Sequence, residues 1–200
     1  MKTMKLAFAA LCCMTTFSFT ACSDDDSSHA LTQEEKAQCL MAVKGNYTGH
    51  LIYAAKNDKN VKDVTDTVDV KWSIVSDSIM TIEKFPTKLL AENVTDTTLK
   101  AALKTAEDQT ITCYIDFVKT SPVQFLVNPK TPAYNLNYGG KDHKVQVAFF
   151  INNYSSFGSY DLTKKVMSMQ IIEGAIFLDG NQTAYLKEGV PFVFVSTKKE

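Results

Sequence analysis

Apolar and polar positions alternate with a period of two over most of this chain. Tyr47, Gly49, Leu51 and Tyr53 alternate with Asn46, Thr48, His50 and Ile52. Val68, Val70, Trp72 and Ile74 line one face of a second run, against Thr67, Asp69, Lys71 and Ser73. Met80 and Ile82 begin a third run after a turn at 76–78, and Ile111, Cys113, Ile115 and Phe117 carry a fourth. Successive side chains of a strand point to opposite faces, so each run predicts a half-buried antiparallel strand. "VQFLV" after Pro122, a hairpin around Gly139-Gly140, a strand from Val166 interrupted at Gly174, and a closing "VPFVFVS" bring the expected count to eight to ten strands. "KNDKN" reads as a turn and "NNYSSFGSYDLTKK" as a long polar and aromatic loop.

Two stretches break the alternation. Thr32 and Glu35 have capping-box spacing, and Ala37, Leu40, Met41 and Lys44 share a helical face with Val43 beside it. Gly45 supplies a stop, so a helix is expected over 33–44. Between 87 and 106, Pro86 suits a first helical position, and Asp96 or Thr97 can cap a segment carrying Leu99, Ala102 and Leu103. One or two short helices are expected there, as a lid or plug across the sheet. The fold class is therefore mainly β, an antiparallel barrel or sandwich with an N-terminal helix and a short helical insertion.

The N-terminus has a different pattern. Lys2 and Lys5 precede an uncharged stretch from Leu6 to Phe19, which has the layout of a signal peptide and is too short to span a bilayer. Phe19-Thr20-Ala21-Cys22 resembles a bacterial lipobox, with Phe19 where leucine is usual. Cys12 and Cys13 fit less well, because they would cut the apolar stretch short. The resemblance implies that residues 1–21 are removed and that an acylated Cys22 anchors the mature chain. Residues 22–30, with "SDDDSS", then form a solvated tether, and 31–200 a single β-rich domain. Acidic residues just behind a lipidated cysteine also resemble the export signal of Bacteroidetes lipoproteins. That implies the outer membrane, with the cell surface favoured over the periplasmic face.

Charge narrows the partners. All 21 basic residues are lysine, so no arginine is present to fork onto carboxylate or phosphate. Two lysines leave with the signal, and 19 then face 22 acids. That balance gives no concentrated basic face for nucleic acid.

The helix leading into "GNYTG" at 45–49, Gly-x-aromatic on the first strand, resembles the entry of calycin or lipocalin-like barrels, with Tyr47 where Trp is usual. With the signal and the strand count, the chain resembles small gut-Bacteroidetes lipoproteins that carry domains of unknown function, some of them calycin-like. The resemblance implies location and fold and brings no activity.

Few residues suggest chemistry. His29, His50 and His143 lack metal-ligand spacing with one another or with cysteine, so no metal or other cofactor is expected. No nucleophile motif is present, and Asp66 and Asp69 fall on opposite strand faces. Gly139-Gly140 lacks the Lys-Ser/Thr pair and helix of a phosphate loop, so no catalytic residue is assigned. Cys39 and Cys113 form a candidate disulfide, with two buried thiols as the alternative. The candidate ligand-binding residues are Tyr134, Tyr138, Tyr154, Phe157 and Tyr160, aromatic rings beside Asn and Ser that suit sugar stacking or protein contact. Two functions are compatible with these features. One is binding of a small apolar or glycan ligand in a hollow barrel. The other is a non-enzymatic accessory role, docking on an envelope protein through an outside apolar patch.

Overall fold

The computed structural model describes residues 30–55 and 64–200. The expected signal peptide, Cys22, the expected tether through His29 and the expected "KNDKN" turn lie outside the described residues. In chain order the elements are α1 (Gln33–Val43), β1 (Gly45–Ala55), β2 (Val64–Ile74), β3 (Ile79–Phe85), α2 (Thr87–Ala91), α3 (Thr97–Lys104), β4 (Gln109–Thr120), β5 (Val123–Pro129), β6 (Ala133–Tyr138), β7 (Lys141–Phe149), β8 (Phe157–Asp161), β9 (Val166–Leu178), β10 (Asn181–Gln182) and β11 (Val190–Lys199).

Eight strands close a barrel in the order β1-β2-β3-β4-β5-β8-β9-β11, and β11 returns to pair with β1. Every pairing is antiparallel, and of the two expected architectures the barrel is the one adopted. The inward alternation of β1 to β4 holds as expected. Tyr47 pairs with Trp72, Trp72 with Ile82, and Ile82 with Ile111, so the four apolar faces meet at one level. The interior is filled. Tyr47, Leu51, Trp72, Ile82, Cys113, Phe125, Met167, Ile171, Phe192 and Phe194 expose almost no surface, not even to an internal void that would hold water. Tyr47 stacks on Trp72, while Trp72 and Phe194, and Phe117 and Phe125, meet edge to face.

β8 is an element the pattern does not reveal. It lies inside the stretch expected to be a loop and joins β5 to β9. Its inward positions are Gly158 and Tyr160, and the Phe125 ring fills the space over the glycine. A Cβ at Gly158 would stand 2.3 Å from Phe125 Cζ, so the strand needs glycine where the alternation calls for an apolar side chain.

One end of the barrel is a floor made by α1. The Thr32–Glu35 capping box forms in both directions. The buried face differs from the one expected. Cys39 and Val43 point inward while Met41 is 82% exposed, because the helix lays its smaller residues against the β4–β5 turn. Lys36 Nζ meets Asp116 at 2.7 Å, and Tyr47 O–H donates to the Val43 carbonyl, tying helix to barrel. Lys199 Nζ donates to the Ala42 carbonyl at 2.7 Å and lies over the rings of Tyr47 and Tyr160.

The other end is covered. α2 and α3 stand between β3 and β4 and bury Leu89, Leu90, Leu99 and Leu103 in the same cluster as the barrel interior. Pro86 is the N-cap of α2 rather than its first helical residue, and Asp96 caps α3 by accepting from Leu99 N–H at 2.7 Å. β9 outruns the barrel. Its first half pairs with β8 and β11, and its second half takes β7, with β6 as the last strand. Gly174 is the bulged residue that turns β9 from one partner to the next, since Phe149 pairs with Glu173 and Ala148 with Ala175. The β6–β7 turn has both glycines at positive φ, as a two-residue hairpin requires.

Candidate functional site

The covered end gathers the polar chemistry. Glu173 continues the inward face of β9 beyond Met167, Met169 and Ile171 and is wholly buried. Its strand neighbours are Val190 and Phe149, and neither carboxylate oxygen has a hydrogen-bond partner among the described residues. Burial alone pushes its pKa up to about 8, so the carboxyl is held neutral below that pH. Burial chiefly raises the pKa of Tyr134 on β6, and a charge on Glu173 would add a little to that rise. Thr87 Oγ1 donates to the Glu107 carbonyl at 2.8 Å, and the Tyr134 hydroxyl lies 3.3 Å from the same oxygen. The threonine has one proton to give, so Tyr134 is the donor in that contact.

A second cluster lies at the tip of this end. His143 Nδ1 is 2.8 Å from Asp179 Oδ2, and the Lys144 N–H donates to Asp179 Oδ1 at 2.8 Å. These bonds hold the Asp179 pKa below the usual carboxylate range. Tyr138 packs its ring on His143 with centroids 4.5 Å apart, and its buried hydroxyl has no partner among the described residues. Beside it a cleft of about 520 Å³ opens between α3 and β6, lined by Thr105, Glu107, Gln109, Asn135 and Asn137 among others. Another depression, about 610 Å³, lies on the outer wall around His50 and Asp69, whose side chains meet at 2.9 Å.

On the wall, the β7–β8 loop presents apolar side chains. Phe150 is 39%, Ile151 57% and Tyr154 77% exposed. The loop is pinned nonetheless. Phe150 N–H donates to the Ile172 carbonyl, Asn152 N–H to Asn128 Oδ1, and Gln170 Nε2 to the Ser155 carbonyl, all at 2.7–2.8 Å.

A family model for a domain of unknown function, DUF4840, matches residues 42–178. The chain belongs to that family. No curated protein and no solved structure matches it. The DUF4840 match runs from the end of α1 through β9, and so takes in the helical cover, the hairpin, the exposed loop and Glu173.

Within this DUF4840 domain the five expected ligand-binding aromatics do not converge. Tyr134 is buried against Thr87, Tyr138 covers His143, and Tyr160 is buried at the floor, edge-on to Tyr47. Phe157 is half-buried at the start of β8, and Tyr154 alone stands well out in solvent. Tyr134 and Tyr138 do share the inward side of β6, two turns of the alternation apart. Cys39 and Cys113 are separate buried thiols instead of a disulfide. Cys39 lies under α1 with its sulfur 3.7 Å from the Lys119 carbonyl, while Cys113 faces the barrel interior. Burial raises both thiol pKa values. Among the described residues no group of three His, Cys, Asp or Glu side chains converges for a metal, and no helix is long and apolar enough to cross a membrane.

Two features of this end stand outside the motifs of the sequence. Glu173 is legible in principle, since it occupies the fourth inward position of an otherwise apolar alternation. The cleft beside β6 is not, because it depends on where α3 docks.

Proposed function

We propose that this protein is a non-enzymatic envelope lipoprotein, anchored at Cys22 in the outer membrane, that docks as an accessory subunit on an outer-membrane protein. The exposed, hydrogen-bonded loop carrying Phe150, Ile151 and Tyr154 supports this reading most strongly. Apolar side chains held out by a rigid loop lose little conformational freedom when a partner covers them. The filled interior supports it too, because a small apolar ligand would compete for space taken by Trp72, Phe125 and Phe194. The lipobox-like sequence at Cys22 and the acidic residues behind it support the anchor and its presentation at the cell surface.

A photo-crosslinking residue in place of Tyr154, activated in intact cells, tests the docking. A discrete heavier species that Ile151→Asp abolishes is expected, and a lone monomer under those conditions would sink the reading. The anchor has its own test. Cys22→Ser should move the protein from the membrane fraction to the soluble one, and a variant that still sediments with membranes would remove the anchor from the proposal.

A further inference from the structure

The barrel leaves one terminal strand. β6 pairs with β7 along its whole length, and among the described residues no strand pairs with its other side. The hairpin register fixes what that side presents. Tyr138 and Lys141 flank the two-residue turn, so Tyr138, Leu136 and Tyr134 exchange backbone hydrogen bonds with β7. Val147 N–H donating to the Pro132 carbonyl continues the same phase. The N–H and C=O groups of Ala133, Asn135 and Asn137 therefore point outward. The Ala133 carbonyl bears this out, because it accepts from Gln109 Nε2 at 3.0 Å across the edge. Among the described residues no group takes the outward backbone groups of Asn135 and Asn137.

The strand itself carries no protective residue or irregularity. Between Ala133 and Tyr138 there is no lysine, no proline and no bulge. Its cover is α3, which packs close to β6 and leaves a cleft beside it. The cleft of about 520 Å³ runs between them, with Ala102, Thr105 and Ala106 as the far wall. A second barrel would bring a whole sheet to an edge walled by Ala102, Thr105 and Ala106, whereas a single added strand needs only the strand spacing of about 4.8 Å. Among the described residues Glu107 is the one charged side chain lining the cleft, beside amides, hydroxyls and small side chains.

We propose that the outward edge of β6, facing the α3 cleft, binds an extended polypeptide segment as an added strand. Asn135 and Asn137 would supply the backbone pairing, and Glu107 would favour a neutral or basic sequence. This goes beyond the docking reading, since it requires neither the anchor nor the β7–β8 loop.

The test uses random twelve-residue peptides displayed on phage as the probe, with selected sequences remade as synthetic peptides and titrated against the folded protein. Asn135→Pro removes only an outward N–H, which an edge strand tolerates, while Asn135→Ser keeps the backbone donor. Expected are peptides that protect the Asn135 and Asn137 amides from hydrogen exchange, lose about tenfold in affinity with Asn135→Pro, and change little with Asn135→Ser. Should the proline variant fail to fold, the exchange protection on the native protein decides alone. Selection of no peptide, peptides that leave those two amides unprotected, equal binding by a folded Asn135→Pro variant, or pairing of β6 with a second copy of this chain would each overturn the proposal.

Discussion

Replacing Glu173 with glutamine should flatten the pH dependence of stability between about pH 4.5 and 8. Buried in the native state, the carboxyl has a pKa of about 8 against an ordinary value of 4.5. Between those values the folded protein keeps a proton that the unfolded chain releases. The linkage sign is then fixed: the unfolded state binds fewer protons, so stability falls as pH rises. Below about 4.5 both states are protonated and the group contributes nothing; above about 8 both are ionised and the whole cost is present. The slope inside the window approaches about 1.4 kcal/mol per pH unit. At pH 7 the accumulated cost is about 3 kcal/mol, and above pH 8 it approaches about 5 kcal/mol. Glutamine preserves the shape and does not titrate. It also leaves a buried amide without a partner, an offset that is the same at every pH. Urea unfolding of both proteins at pH 4.5, 6, 7 and 8 reads the difference, and titrations common to the two cancel. The gap should widen steadily with pH in favour of Glu173→Gln, equivalent to a melting-temperature difference of roughly 6–12 °C at pH 7 relative to pH 4.5. Parallel stability curves would refute the reasoning, because they would mean that Glu173 is solvated or paired in solution.

Gly158→Ala should destabilise by about 1–3 kcal/mol, since its Cβ would land 2.3 Å from Phe125 Cζ. Thermal melting checks it, and pairing the change with Phe125→Leu should recover part of the loss; a neutral Gly158→Ala would mean that Phe125 moves freely. In native buffer at pH 8 without reductant, Cys39 and Cys113 should resist thiol reagents and then label fully on denaturation, because both are buried and free. Absence of labelling in denaturant would instead reveal a disulfide.

How much of this is legible in the sequence depends on what each residue does. The alternation in β1 to β4 is plain because each inward position there is apolar and backs onto another such strand. β8 escapes because Gly158 occupies an inward position and its apolar filling comes from Phe125, 33 residues away in the chain. The face of α1 departs from expectation because Cys39 and Val43, four residues apart, form the stripe that meets the floor, which turns Met41 to solvent. The aromatic set rests on nearness in sequence, which is a poor guide here. Tyr154 sits on a loop and Tyr160 on a strand that descends to the floor, so six residues separate solvent from core. Barrel closure is not readable from any strand alone, since it rests on β9 pairing with β11 across the β10 segment.

The closed and filled barrel constrains how this chain recognises anything. Closure consumes the backbone groups of eight strands, and filling consumes their inward side chains, so recognition is left to outward side chains, to loops and to strands outside the barrel. With no arginine in the chain, the forked anchor common at interfaces is also missing. Exposed aromatic and aliphatic side chains and unpaired main-chain groups remain. The β7–β8 loop carries three of the first in one short stretch and the β6 edge carries the second, and both depend on β9 outrunning the barrel past the Gly174 bulge. A change that shortens β9 beyond Glu173 should therefore remove the hairpin, its edge and the seat of Phe150 together, while leaving the eight-strand pairing below it in place.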